Sequence, residues 1–383
     1  MPTRSAGRQL SRDFYSLSQD GKASLRSLHI DFPLVFFLFC LAVYGLLVLY
    51  SASGQNLQEV QRQGAAIAVA FAVMIGLAQI DVNLFKRGAV PAYLAGVGLL
   101  VIVLLFGVKA NGATAWLDLP GLPSFQPAEV EKFLVPMLLA WYLSSRSLPP
   151  SFKDLAICAL IILLPVGLVL MQNDTGTALM IMMSGVFVVL LAGVSWKLVL
   201  TGFGALLLAS PAWWIFAAQP HQKNRILTFF DPYRDPTGAG YNIIQSQIAI
   251  GSGGVQGKGW LNGAQSQLDF IPESNTDFIL AVLAEEFGLL GVLFLIGLYA
   301  AVMGRGFYIA MTAQDTFRRL LAGSIVLTFF FYAFVNMAMV SGLMPVVGLP
   351  LPLVSKGGTS IVTLLIGFGI LMSIHTHKRV IPR

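Results

Sequence analysis

The segment FIPESNTDFILAVLAEEFG, beginning at Phe270, places Asp277 at the threshold of a strongly apolar run and Glu285 and Glu286 within it. Ionisable groups at membrane depth are costly, and functional use is the default expectation where they occur. If a helix starts at Asp277, Glu285 lies about 80° round and ~12 Å deeper, and Glu286 points to the opposite side, so the three do not form one cluster. Asp277 then sits at the water boundary. It is either a helix amino-terminal acid or cap, with Thr276 a second capping candidate, or a carboxylate that accepts a proton from a substrate. Glu285 is either its deeper support or a hydrogen-bond partner in bundle packing.

A second constellation, WLDLPGLPSFQPAEVEKFLV, begins at Trp116. Pro127 suits a first helical turn, Glu129 and Glu131 complement the positive end of a helix, and the i,i+3 spacing lets Glu129 pair with Lys132. The pair either closes a helix end or leaves Lys132, with nearby polar groups such as Gln126, to bind an anionic headgroup, for which a compact ammonium suits phosphate. A third, SGLMPVVGLPLPLVSKGGTS from Ser341, carries Pro345, Pro350 and Pro352 and cannot be an ordinary helix. It reads as a structured loop or broken helix facing protein or a cavity, with Lys356 as a second cation able to meet a pyrophosphate.

Other motifs fail. IGSGGVQGKGW, from Ile250, imitates a phosphate loop, but Ser252 stands where the first Gly is needed and Gly259 where Ser or Thr must follow Lys258. Its glycines read as turn formers. The four histidines form no Ser/His/Asp or His/Glu arrangement, and Cys40 and Cys158 lie in apolar segments without metal-ligand spacing.

The elements that must position these residues are transmembrane helices. Of 383 residues 56% are hydrophobic and 11% charged, and the mean hydropathy is +0.76, which excludes a soluble protein. The expected architecture is an all-α polytopic bundle of about ten spans forming one domain: 32–50, 64–80, 89–107, 127–144, 154–171, 177–194, 198–217, 277–304, 320–340 and 360–375. The first is too long for a signal-peptide core and reads as an uncleaved anchor. With tails 1–31 and 376–383 in the cytoplasm, sixteen of the 24 Lys and Arg residues fall inside, so charge placement marks topology rather than a nucleic-acid surface. Acids show the opposite bias, with Asp118, Asp174, Asp231, Asp235, Asp269 and Glu273 among those on the other side. That side also carries the only long connection, 219–276 between spans seven and eight, too long to be a passive loop. Within it YNIIQSQIAI, from Tyr241, reads equally as an interfacial or re-entrant helix and as a plain surface helix.

These motifs resemble, in order, those of the SEDS family, the RodA and FtsW polymerases of bacterial cell wall synthesis. FIPESNTDFILAVLAEEFG is similar to the family's most recognisable segment, and FQPAEVEK, DPTGAGYNIIQSQIAIGSGGVQGKGW and PVVGLPLPLVSKGG to three others. The short tails and the ending MSIHTHK look closer to RodA, the elongation member. The resemblance implies a ten-span protein of the inner membrane that polymerises lipid II on the outer face. It also implies a class B penicillin-binding protein of the PBP2 type as partner, among other elongation-complex membrane proteins. Asp277 falls on the family's catalytic aspartate, and Trp116, Gln126, Glu129 and Lys132 on its polar motif. Two positions depart: Ala115 where Arg is usual and Lys356 where Tyr is common, as if one basic residue had moved across the same cavity.

The chemistry expected is attack of a sugar hydroxyl on an anomeric carbon whose leaving group is a lipid pyrophosphate, with Asp277 as general base and inversion of configuration. No organic cofactor is needed; Lys132, Lys356 or a divalent cation, Mg or Mn, would neutralise the leaving group. The competing reading is a flippase of the lipid-linked precursor, and a third is a scaffold that recruits the crosslinking enzyme.

Overall fold

The computed structural model describes residues 29–110, 113–118, 125–216, 218–235, 238–264, 270 and 273–377. The basic residues of both tails before residue 29 and after residue 377, with Asp269, lie outside them. The chain is mostly helical: α1 (Phe32–Ala52), α2 (Leu57–Ala78), α3 (Val82–Phe106), α4 (Ala128–Ser144), α5 (Phe152–Met171), α6 (Thr175–Leu191), α7 (Trp196–Phe216), α8 (Pro220–Phe230), α9 (Ala239–Gly253), α10 (Ile279–Met311), α11 (Thr316–Val340) and α12 (Gly358–Thr376). Each of the ten predicted apolar segments overlaps one of these helices. Among the described residues, eight helices are long and apolar enough to cross a membrane. α6 is apolar but has 17 residues, and α4, of the same length, carries Glu129, Glu131 and Lys132.

The all-α expectation needs one correction. Strands β1 (Val108–Ala110) and β2 (Ala113–Trp116) form an antiparallel hairpin with a bulge at Val108/Lys109. The hairpin is tied down by the Thr114 amide, which donates to the Gln172 carbonyl at 2.9 Å. Trp116 therefore stands on a strand, a support that helical periodicity does not reveal.

Helix starts follow local chemistry. Asp31, Asn56, Asp81, Asp174 and Asp315 accept backbone amides at the starts of α1, α2, α3, α6 and α11, and Ser151 with Asp154 closes a capping box on α5. The densest packing is that of α2 against α12, followed by α10 against α11, with α9 and α1 along α10 and α4 held among α3, α6 and α11. α7 makes at most marginal contact with the other described elements.

α10 is broken at Gly288, whose φ of 63° and ψ of −162° lie in a region only glycine occupies comfortably. A break inside a transmembrane helix exposes amides and carbonyls that lipid cannot satisfy. Residues 254–259 supply the partners. The amides of Lys258 and Gly259 donate to the carbonyls of Glu285 and Glu286, and the amides of Leu289 and Leu290 donate to the carbonyls of Gly254 and Val255, at 2.9 to 3.1 Å. Gly257 lies directly on the Glu286 carbonyl with φ of +79°, which leaves no room for a side chain. The expected turn-forming glycines are thus a plug for the broken helix. α9, which carries YNIIQSQIAI, packs along α10, buries Ile243, Ser246 and Ala249, and donates from Ser246 to the Val340 carbonyl of α11 at 3.0 Å, so it is not a plain surface helix.

The same plug answers the Glu285 and Glu286 question. Lys258 donates to Glu285 at 2.7 Å, and Ser51 of α1 donates to Glu286. Glu285 is thereby paired with Lys258 in the packing of the bundle. Gly288→Ala is expected to destabilise the folded protein by about 1–3 kcal/mol through the forbidden dihedral, read as a lower Tm in detergent; an unchanged Tm would contradict the role given to the break. For the ion pair, a double-mutant cycle of Lys258→Met and Glu285→Gln should show coupling of about 0.5–3 kcal/mol, whereas additive effects would mean the pair is incidental.

Candidate functional site

At the end of the bundle that carries the 219–276 connection, a cavity of about 510 Å³ opens among the hairpin, α4, α6, α8, α9, the turn before α10, α11, the Pro-rich segment and the start of α12. The segment is fixed residue by residue. Ser355 donates through Oγ to the Thr276 carbonyl at 2.5 Å and accepts the Leu351 amide at 2.7 Å, Tyr299 donates to the Pro352 carbonyl at 2.7 Å, and the Lys356 amide donates to the Asn275 carbonyl at 2.9 Å. The expected structured loop facing a cavity is what these bonds hold in place.

Asp277 lies in the turn that precedes α10 rather than in its first turn; α10 begins at Ile279 and its cap position, Phe278, offers no side-chain acceptor. Thr276 instead donates to the carboxylate of Glu273, at 2.5 Å. Neither predicted cap therefore caps, and the Asp277 carboxylate is left facing the cavity. Its backbone is pinned from α11: Asn336 Nδ2 donates to the Asp277 carbonyl at 2.9 Å and to the Leu349 carbonyl at 2.6 Å, locking the turn to the Pro-rich segment. Burial, and then the negative charge of Glu273, push the Asp277 carboxyl up to about 6 against the opposing pull of Arg225.

Trp116, Gln126 and Glu129 line the same cavity. Gln126 Nε2 donates to Asp174 at 2.6 Å, which fixes the chain entering α4 against the start of α6. Lys132 is placed differently from a phosphate ligand. Its ammonium donates to Glu129 at 2.7 Å, lies 4.8 Å from the Tyr332 ring centroid and is almost wholly buried, behind Glu129 rather than in the cavity lining. Glu129 is held further by Thr363 of α12, at 3.0 Å. Lys132 thus compensates and orients a buried carboxylate, which is costly to leave unpaired. Glu131, on the same helix, is fully buried against Gly96 of α3 and takes no part in the cavity.

Lys356 and Ala115, the two departures, both line the cavity. The Lys356 ammonium pairs with Glu59 at 2.9 Å, and at 44% and 25% side-chain exposure this pair is weakly held. Three residues were not found from the sequence. Arg225, on α8, lines the cavity and donates to the Val347 carbonyl at 3.2 Å. Asp174 and Asn336 complete the set, the first signalled by its helix-cap position in NDTGT, the second as the lone strongly polar residue of an apolar run. For Arg225 there was only its place in a long connection.

Comparisons with known proteins agree with this arrangement. The FtsW/RodA/SpoVE cell cycle protein family model matches residues 32–380. Peptidoglycan glycosyltransferase MrdB of Escherichia coli K12 is 46% identical over 357 residues, 93% of this chain and 96% of that protein. A probable peptidoglycan glycosyltransferase FtsW of Geobacter metallireducens is 34% identical, over 92% and 96%. Among solved structures, a chain of a peptidoglycan synthase complex coordinating polymerization and crosslinking superposes with a TM-score of 0.80 at 34% identity, covering 90% of this chain and 97% of that one. Rod shape determining protein RodA of Thermus thermophilus gives 0.69 at 30% identity, over 90% and 96%. The motifs that surround the cavity, and the helices that carry them, place this multi-pass membrane protein in the FtsW/RodA/SpoVE family.

Proposed function

We propose that the chain is a peptidoglycan glycosyltransferase that polymerises lipid II into glycan strands, with Asp277 as general base. The observation that carries this reading is a half-buried carboxylate with raised proton affinity, freed from capping and facing a cavity that also presents two cations, Arg225 and Lys356. The reaction needs those parts. An acceptor sugar hydroxyl attacks the donor's anomeric carbon, its proton passes to the Asp277 carboxylate, and the bond to the lipid pyrophosphate breaks with its electron pair. One displacement inverts the α-linked donor to a β-linked polymer. Pyrophosphate leaves readily once its charge is met, so one base and fixed cations suffice. Arg225 and Lys356 supply that charge, and Lys132 acts at one remove by holding Glu129.

A divalent ion held by the protein fits poorly. Among the described residues no three His, Cys, Asp or Glu side chains converge, and Glu129 and Asp174 are already engaged by Lys132 and Gln126.

The ten helices that carry the apolar segments would each span the cytoplasmic (inner) membrane, with both termini inside and the 219–276 connection outside. That orientation is supported by the distribution of Lys and Arg, and it puts the cavity on the outer face. A class B penicillin-binding protein of the PBP2 type is the partner this reading needs, and likeness to a chain from a peptidoglycan synthase complex supports it.

With lipid II and a class B partner, Asp277→Asn should lower the polymerisation rate by about 10²–10⁴-fold; wild-type turnover by the variant would sink the assignment. The base must be ionised, so the rate should rise with pH through about 6 and fall away below it. Glu273→Gln removes a repulsion and should move that rising limb to lower pH, whereas Arg225→Gln removes an attraction and should move it higher. Equal limbs in all three proteins would separate the titration from Asp277.

A further inference from the structure

At the opposite end of the bundle from this cavity, a second cleft of about 580 Å³ lies between the start of α3 and the end of α4. Its lining is Asp81, Asn83, Leu84, Lys86 and Arg87 from α3 and its cap, with Trp141 from α4. Neither Lys86 nor Arg87 joins an ion pair among the described residues, and the Lys86 ammonium lies 5.7 Å from the Phe317 ring centroid. Asp81 is the single acid of the lining. Its Oδ1 accepts from the backbone and side-chain amides of Asn83, both at 2.8 Å, and its charge is met in part by nearby Arg318. The cleft therefore presents two cations against one committed carboxylate.

What adjoins those cations is apolar. Leu84, Pro91, Leu94 and Gly98 are exposed on the same face of α3 as Arg87, which leads from the cleft along the bundle. Leu84 and Leu94 are 61% and 62% exposed. Trp141 is 38% exposed at the cleft, and an indole there suits the boundary between headgroups and acyl chains. A free phosphate would use only the cations; a molecule with an anionic head and an acyl chain would use both features.

We propose that this cleft is a binding site for an anionic phospholipid, with the phosphodiester between Lys86 and Arg87, the headgroup edge against Trp141 and an acyl chain along the Leu84, Pro91 and Leu94 face. The orientation proposed above puts the site in the cytoplasmic leaflet, but binding in detergent does not depend on that orientation. Nothing in the glycosyltransferase reading requires the site, which draws on no residue of the catalytic cavity.

The test is native mass spectrometry of the detergent-purified full chain titrated with dioleoylphosphatidylglycerol, dioleoylphosphatidylcholine or inorganic phosphate. The wild type should bind the glycerol lipid about thirtyfold more tightly than the choline lipid, the scale expected for two basic residues near a headgroup. The double variant Lys86→Gln/Arg87→Gln should lose that preference while keeping the wild-type Tm. A charge-matched control, Lys153→Gln/Lys197→Gln, should keep it. Equal binding of the two lipids by the wild type, or a preference that survives the cleft variant or vanishes equally in the control, overturns the proposal. Displacement of the glycerol lipid by millimolar phosphate also overturns it, by assigning the cations to a soluble anion.

Discussion

The structure depends on how one interrupted helix is made acceptable to lipid. At Gly288 the backbone of α10 leaves helical geometry, and the freed groups would each cost several kcal/mol in hydrocarbon if unpaired. The turn at residues 254–259 pairs them from the side, with the Lys258–Glu285 ion pair next to the same bonds. That insertion anchors α9 against the first half of α10. It therefore fixes the segment that runs from the turn holding Asp277 into the bundle. A carboxylate proposed as general base and standing outside a helix needs such bracing, because a misplacement of about 1 Å is costly to chemistry.

Around this frame, charges have separate duties. Lys132 and Glu129 satisfy each other in the interior, with Tyr332 and Thr363 completing their surroundings. Arg225 and Lys356 stand at the cavity wall, where they can meet an incoming anion. Asp277 is poised between Glu273 and Arg225, so its proton affinity is set by burial and tuned by opposite charges. Asn336 contributes without touching the carboxylate, since it binds the carbonyls of Asp277 and Leu349 and so couples the two segments that form the wall.

Much of this was legible in the sequence, and the rest was hidden for physical reasons. Apolar runs reveal helices because lipid demands them, and Gly/Pro-rich motifs reveal departures from helix. The hairpin holding Trp116 was not legible, as a three- and a four-residue strand leaves no usable periodicity. Helical extrapolation from Asp277 failed by two residues, which mattered because it turned an uncapped turn into a supposed helix start. It still separated Glu285 and Glu286 correctly, since both lie within the intact first half of α10. Lys132 could not be assigned from spacing alone: i,i+3 pairing was foreseen, but whether the ammonium faced substrate or Glu129 depended on α11 and α12. Arg225 comes into the cavity only through the tertiary placement of α8.

The central claim is that the protein environment gives Asp277 the proton affinity of a base working near neutrality. Infrared difference titration of the aspartate-labelled protein, subtracting Asp277→Asn, measures that directly. A carboxyl stretch lost with a midpoint near 6 is the predicted result. A midpoint at the ordinary aspartate value of about 4 would contradict the account.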